Sequence, residues 1–282
     1  MNSPDPAADG GINSHSAVGF VDVHYHAAPD LYDRRHSVLE AGRRYASRGG
    51  WIVLKNHLGC TAAQAHDARE QGLPVSGSVV LNGVAGGLDP QAVLGSVHRN
   101  GAGGGRDPAH PHLADHKIAP LTVSGSNGRL LPAVFEILRL ARDLDLVVST
   151  GHANADEVVR LVDPAVQVEL PVLMLNQPAG PLTGLRYEDL VDLAKAPMVY
   201  TEQTALTYLL GYQDEDDFRA VLGSLPRTVY SSDLGQPSQP DIEEWLRLSD
   251  RWFTMFGLSE ARIAEITLES PSRMLGLEHA GG

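Results

Sequence analysis

The chain has 282 residues, 43% of them hydrophobic and 20% charged, which is enough apolar material for one large buried core. Its formal net charge of -13 repels polyanions, so no nucleic acid and no anionic membrane is an expected partner. Cys60 is the only cysteine, which excludes an intrachain disulfide and a thiolate cluster, so any metal must be held by nitrogen and oxygen. These limits favour a small-molecule substrate, and they leave open whether the chain forms a homo-oligomer.

Residues 1–17 are predicted to be a flexible, polar leader, and residues 18–278 a single domain. The leader lacks the basic start and apolar segment of a secretory signal. No later stretch approaches the length of about 18 apolar residues that a membrane-spanning helix needs. We therefore expect a cytoplasmic protein.

Short apolar runs alternate with longer segments of helical period along the rest of the chain, which is the pattern of repeated β-α units. The predicted strands are residues 19–26, 49–57, 74–82, 144–152, 171–177, 196–202 and 227–233. The predicted helices are residues 37–48, 61–71, 131–144, 187–196 and 240–257.

These predicted strands leave one strand missing from an eight-stranded barrel. The missing strand belongs near residues 97–104, where the sequence is rich in glycine and poor in apolar residues. We predict a short fourth strand there, followed by an irregular loop. The predicted fold is therefore α/β, a (β/α)8 TIM barrel with a distortion around the fourth strand.

Polar side chains that could carry chemistry stand at the carboxyl ends of several predicted strands. They are His24 and His26 after the first strand, Lys55 and His57 after the second, His152 after the fifth, Glu202 after the seventh and Asp233 after the eighth. Because the carboxyl ends of barrel strands converge on one face, these distant positions become neighbours.

His24 and His26 are two residues apart, so both side chains leave a strand on the same side and could share one metal ion. Asp233 is a hard anionic ligand for Zn²⁺, Mn²⁺ or Fe²⁺, and it could also accept a proton from water. The alternatives are hydrogen-bonded histidines and an aspartate that caps a helix. His152 stands at an equivalent strand end, and it too could be either a metal ligand or a hydrogen-bonded histidine.

Lys55 ends an apolar strand, where an ammonium group must find a partner, lose its proton or be modified. It could bind a substrate carboxylate or phosphate, or carry a carbamate that bridges two metal ions. It could also extend to the solvent at the barrel rim. Lys55 and His57 are two residues apart on the second strand, which is the same spacing as that of His24 and His26 on the first.

Other features favour no specific chemistry. His36 and His66 fall within predicted helices and receive no role. The glycine run at residues 101–105 lacks the spacing of a dinucleotide site and is predicted to be a flexible loop. The histidines of the run HPHLADH at residues 110–116 fall in a predicted loop. They could bind a metal at the surface, contact a lid or simply be solvated.

The segments VDVHYHAAPD, VLKNH, STGH and SSDLGQ, in this order and followed by ESPSRMLGL, resemble an uncharacterised branch of the amidohydrolase superfamily of metal-dependent hydrolases. In that superfamily a His-x-His pair after strand one, a histidine after strand five and an aspartate after strand eight hold the first metal ion. The resemblance therefore implies a metal site formed by His24, His26, His152 and Asp233. Lys55 stays a further candidate ligand, for the case that it carries the carbamate.

The sixth strand departs from the superfamily pattern. Members usually carry another histidine after this strand, but here the strand ends LMLNQPAG, with Asn176 and Gln177 at that position. A carboxamide is a much poorer ligand than an imidazole for such metals. We therefore expect one divalent ion, zinc before manganese or iron, rather than two.

The resemblance implies a metal-dependent hydrolase that cleaves an amide, lactone or other ester bond of a small molecule with a metal-activated water. Asp233 would take the proton of that water. Lys55, His57 or Asn176 would stabilise the developing oxyanion or hold the substrate. The remaining candidates are Glu202 as a secondary acid or base, and Gln177 and Gln236 as substrate contacts.

Two other functions stay open. Asn176 and the altered fourth strand would suit a metal-assisted decarboxylase, lyase or cyclase of specialised metabolism, which incorporates no oxygen from the solvent. A barrel that has lost catalysis could instead be a binding protein, which would hold no metal.

Overall fold

The computed structural model describes residues 19–94, 102–104 and 121–277. Its strands are β1 (Phe20–His26), β2 (Gly50–Lys55), β3 (Val75–Ser76), β4 (Ser78–Val80), β5 (Ala102–Gly104), β6 (Val147–Ser149), β7 (Leu173–Leu175), β8 (Val199–Thr204) and β9 (Thr228–Ser231). They pair in parallel, with β1 to β3 in one sheet and β4 to β9 in another.

The two sheets are connected on both sides. β3 and β4 belong to one extended run that is interrupted only at Gly77. On the other side, the chain just after β9 pairs with β1. Tyr25 and Leu234 form a parallel bridge, and the backbone N–H of Asp233 donates to the carbonyl oxygen of His24 at 2.8 Å. The strands therefore follow one another in barrel order, and the predicted (β/α)8 TIM-barrel fold is confirmed.

The fourth barrel strand is the short β5, within the range where the sequence predicts it. Gly103 pairs with Val79 of β4 and with Val148 of β6. The prediction of a flexible loop over residues 101–105 is therefore wrong for Ala102–Gly104. Glycine weakens a strand, but its N–H and C=O groups still pair with the neighbouring strands.

Helices follow most of the strands. They are α1 (Val38–Ala46), α2 (Ala62–Glu70), α3 (Pro90–Leu94), α4 (Pro132–Asp143), α5 (Ala155–Gln167), α6 (Tyr187–Leu193), α7 (Ala205–Leu209), α8 (Glu215–Ser224), α9 (Ile242–Met255), α10 (Glu260–Ala264) and α11 (Ser270–Leu275), with the π-helical turn Glu265–Glu269 between the last two. Each predicted helix is confirmed to within a few residues at its ends. The sequence pattern misses the short helices α3, α7, α10 and α11 and the longer helices α5 and α8. Pro164 inside α5 interrupts the helical signal, although Asn154 caps this helix.

The apolar core lies between the barrel strands and the helices around them. Side chains of α4, α5, β7 and β8 form one cluster, in which Leu138, Leu173 and Val199 are buried. Tyr45 of α1 and Trp245 of α9 belong to a second, aromatic cluster. Burying a large apolar side chain is worth about 1.5–3 kcal/mol, so these layers fix the strands whose ends carry the polar residues.

In the described part of the chain, no helix is both long enough and apolar enough to span a membrane. The predicted leader and the histidine run at residues 110–116 lie outside the described residues. The single domain over residues 18–278 stays a prediction, as does the cytoplasmic location.

Candidate metal centre

Three of the predicted metal ligands converge where β1 and β9 end. Asp233 Oδ1 lies 3.2 Å from His24 Nε2 and 3.4 Å from His26 Nε2. One ligand atom from each residue lies within 4.8 Å of the other two. The imidazoles are buried, with His24 4% and His26 7% exposed. The fold thus gathers two imidazole nitrogens and one carboxylate oxygen from opposite ends of the sequence.

The backbone holds Asp233 in an uncommon conformation. Its φ of 55° lies in the left-handed region, and Gln177, which follows β7, has a φ of 44°. The two side chains meet, because Gln177 Nε2 donates to Asp233 Oδ2 at 2.5 Å. This bond leaves Asp233 Oδ1 directed toward the imidazoles. Non-glycine residues with positive φ cluster at functional sites, where the surrounding structure compensates for their cost.

Glu202, on β8, orients the first imidazole. Its Oε1 accepts hydrogen bonds from His24 Nδ1 at 3.0 Å and from Ser231 Oγ at 2.8 Å, while Oε2 accepts from the Gln177 backbone N–H at 3.2 Å. A proton on His24 Nδ1 leaves the lone pair on Nε2, which faces Asp233 Oδ1. A cation between these two atoms would remove their mutual repulsion. The donor set therefore fits a divalent metal ion, with a carboxylate behind the histidine as in many zinc sites.

The charges of the centre shift the titration of its members. Burial opposes ionisation of Asp233, but the imidazoles of His24 and His26 outweigh it and hold the pKa of this carboxyl well below its usual range. Burial also disfavours a charged His24, yet the carboxylates of Asp233 and Glu202 raise its pKa. The carboxylates thus create a local potential that favours a cation.

A second group of polar side chains surrounds Asp30, in the loop after β1. Its carboxylate lies 2.9 Å from His57 Nδ1, 2.6 Å from the Arg34 guanidinium and 3.5 Å from His26 Nδ1. His26, Asp30 and His57 also bring one ligand atom each within 4.8 Å of one another. Burial opposes ionisation of Asp30, but its contacts with the two imidazoles lower its pKa far below the ordinary value.

Lys55 ends β2 beside the centre, where it is the register partner of His26. Burial lowers the pKa of its ammonium group, and the carboxylates of Glu202 and Asp233 counteract part of that shift. Both roles predicted for Lys55, metal ligand and substrate contact, stay predictions.

The other predicted residues stand beside the three convergent ligands. His152 follows β6 and contributes less than His24 and His26 to the lowered pKa of Asp233, but it is not among the three gathered ligands. Asn176 follows β7, the sixth strand of the barrel. Its Oδ1 accepts from Ser149 Oγ at 3.2 Å, and its buried Nδ2 has no hydrogen-bond partner in the described part of the chain. Gln236 Nε2 donates to the backbone carbonyl of Asp233 at 3.1 Å. Their functional roles stay predictions.

Sequence reasoning misses Asp22, Asp30 and Arg34. The fully buried Asp22 carboxylate accepts hydrogen bonds from the backbone N–H groups of His24 and Ser232, both at 3.0 Å, and so ties β1 to the chain after β9. Two sequence features could have identified these residues. Asp22 is an acidic residue inside an apolar strand, and Asp30 and Arg34 form an Asp-Arg pair four residues apart, shortly after the histidine pair.

Residues 19–202 match the model of DUF6282, which is described as a family of unknown function. The chain belongs to the DUF6282 family. This agrees with the uncharacterised branch that the sequence motifs indicate. A comparison with curated proteins found no match.

Three solved structures share the barrel fold of this DUF6282 chain. Dihydropyrimidinase from Brevibacillus agri NCHU1002 has a TM-score of 0.61 at 11% identity, over 93% of this chain and 71% of its own. A mutant of organophosphorus hydrolase has a TM-score of 0.58 at 16% identity, over 94% of both chains. 2,6-Dihydroxybenzoate decarboxylase complexed with 2,6-dihydroxybenzoate has a TM-score of 0.52 at 13% identity, over 92% of this chain and 99% of its own. At these identities the similarity shows the fold alone.

Proposed function

We propose that this protein is a metal-dependent hydrolase that cleaves an amide, lactone or other ester bond of a small molecule. The convergence of His24 Nε2, His26 Nε2 and Asp233 Oδ1 at one end of the barrel supports the proposal most directly. Catalytic groups of TIM-barrel enzymes occupy this end. A structure named as a hydrolase, organophosphorus hydrolase, shares the fold.

His24, His26 and Asp233 would hold the ion, zinc before manganese or iron, with His152 as the predicted fourth ligand. The chemistry that such an ion supplies when bound is Lewis acidity, which lowers the pKa of water and polarises a carbonyl oxygen. Asp233 accepts the proton of the attacking water. Gln177 supports this role, because it binds Oδ2 and fixes the direction of the carboxylate.

Neighbouring side chains act on the substrate. Asn176 offers the Nδ2 group that has no partner in the described residues, and Lys55, at the end of β2, is the second candidate to bind the developing oxyanion. Gln236 remains a candidate substrate contact. Glu202 has three hydrogen-bond partners, and we assign it the positioning of His24 in place of the acid-base role expected from the sequence.

We propose one ion rather than two. The second group of possible ligand atoms belongs to His26, Asp30 and His57. The Arg34 guanidinium already lies 2.6 Å from the Asp30 carboxylate. A second cation there would meet this charge at close range. Asn176 also stands where the superfamily usually has a histidine, and an amide is a weak ligand for these metals.

Metal content tests the proposed centre. Wild-type protein should bind about one equivalent of zinc by elemental analysis, as expected for a single catalytic site. His24→Ala and Asp233→Ala each remove a ligand, so they should lose the metal and the activity while circular dichroism still reports a folded barrel. His66→Ala changes an exposed histidine of α2 and should keep both. Equal metal content in all three variants would contradict the proposal.

A decarboxylase, lyase or cyclase reaction at the same centre is the second candidate. Asn176 at the end of the sixth strand favours it, since the histidine usual in the superfamily binds a second metal or steers the nucleophilic water. Turnover in ¹⁸O-labelled water separates the two: hydrolysis places one solvent oxygen in the product, and a non-hydrolytic step places none. A chain that holds no metal, and whose stability is unchanged by chelator, would instead be a binding protein.

A further inference from the structure

A buried ion pair lies behind the candidate centre. The side chains of Asp30 and Arg34 are 0% and 3% exposed, and Arg34 Nε and Nη2 approach Asp30 Oδ2 at 2.7 and 2.6 Å. Asp30 Oδ1 accepts from the backbone N–H groups of Leu31 and His57 at 2.8 and 2.7 Å. A buried charge pair is tolerated when its remaining hydrogen-bonding capacity is satisfied, as it is here. Backbone and guanidinium together fix the position of the carboxylate.

The carboxylate determines which nitrogen of His57 carries the proton. His57 Nδ1 lies 2.9 Å from Asp30 Oδ2 and 3.1 Å from Oδ1. Because a carboxylate only accepts hydrogen bonds, the nitrogen that faces it must be the protonated one. Arg34 Nη2 is 3.3 Å from the same nitrogen, but a guanidinium only donates and cannot bond to a protonated nitrogen. When the ring of His57 is neutral, its lone pair is therefore on Nε2.

The ring of His57 is fixed in orientation as well as in tautomer. It stacks on His26 with centroids 4.8 Å apart and an interplanar angle of 17°, and the ring of Tyr32 meets it at 90°. Asp30 Oδ2 lies 3.5 Å from His26 Nδ1, and His26 Nε2 faces Asp233. Asp30 thus contacts one imidazole of the candidate centre and a second imidazole stacked upon it.

We propose that Asp30, held by Arg34, is a positioning residue that fixes His57 as its Nδ1–H tautomer and aligns it on His26, so that His57 serves as a hydrogen-bond acceptor through Nε2. The catalytic part of this inference rests on the proposed function, because His57 Nε2 would accept a hydrogen bond from the substrate or from water. Arg34 neutralises the charge of Asp30, so the carboxylate orients His57 without adding a net negative charge beside the centre.

Nitrogen NMR of the imidazoles tests the inference on the full chain, freed of metal and labelled with ¹⁵N-histidine. The variant His57→Gln identifies the signals of His57. At about pH 8, above the ordinary pKa of histidine, wild-type protein should show a protonated-type shift for His57 Nδ1 and an unprotonated-type shift for Nε2. The reverse pattern would overturn the proposal without any further variant.

Asp30→Asn removes the charged acceptor and keeps the size of the side chain. Its His57 shifts should move toward those of a mixture of both tautomers. Asp33→Asn, the same change at an exposed position three residues away, should keep the wild-type pattern. A wild-type pattern in Asp30→Asn would overturn the proposal.

If Asp30→Asn does not fold, Arg34→Lys serves as the second variant, because lysine keeps the charge but not the two-nitrogen fork that holds Asp30. It should move the His57 shifts in the same direction, and unchanged shifts would overturn the proposal. Since these spectra are recorded without metal, they are independent of the metal content that tests the proposed function.

Discussion

His36 is buried near Arg44 and contacts the Tyr25 hydroxyl through Nδ1 at 2.8 Å. Its pKa is lowered because burial disfavours the imidazolium and the Arg44 cation repels it. His24 is buried too, but its pKa is raised by nearby carboxylates. One of these carboxylates, Glu202, stands 178 residues away in sequence. No local sequence pattern could therefore predict that the pKa of His24 is raised and that of His36 is lowered.

The lowered pKa of His36 predicts a specific pH dependence of stability. The unfolded chain binds this proton more tightly, so the free energy of unfolding should rise with pH between the folded-state pKa and the ordinary value of 6.5, and the contribution should be complete above it. His36→Gln should lose this slope, which cannot exceed about 1.4 kcal/mol per pH unit. Urea unfolding from about pH 5 to 8 measures it.

The matched control is His66→Gln, at an exposed histidine of α2, which should keep the wild-type slope. If His36→Gln and wild-type protein lose stability equally on acidification, the lowered pKa of His36 is not the cause.

The contact between β1 and the chain after β9 depends on a glycine. Gly235 has a φ of 120°, and a Cβ atom there would lie 1.9 Å from the carbonyl oxygen of His26. Its own carbonyl accepts a hydrogen bond from the Arg35 backbone N–H at 2.7 Å. Close backbone approach at this element boundary therefore brings the strand that carries the histidines against the segment that carries Asp233.

Gly235→Ala should force these segments apart. We expect it to lower the free energy of unfolding by about 3 kcal/mol or more, because it combines a backbone clash with an unfavourable φ. Gly223→Ala, at an exposed position of α8 where a Cβ would lie 3.6 Å from Leu258, should be neutral or stabilise by up to about 1 kcal/mol. Chemical denaturation compares the two, and equal stabilities would show that the segments yield without strain.

The whole barrel explains how much could be predicted from the sequence. Strands such as β1 and β8 carry local apolar patterns, and barrel closure alone then brings His24, His26 and Asp233 together. The interrupted helix α5 and the glycine strand β5 carry weak patterns. Asp30 and Arg34 could not be assigned, because their roles depend on contacts with His57 that only the folded chain creates.

Anomalous diffraction at the zinc and manganese edges, from crystals of the full chain grown with these metals, tests the centre most directly. The geometry predicts one anomalous peak, bonded to His24 Nε2, His26 Nε2 and Asp233, with metal–nitrogen distances of about 2.0–2.1 Å for zinc. A peak between Asp30 and His57 in its place, or no peak at the ends of β1 and β9, would contradict the proposed site.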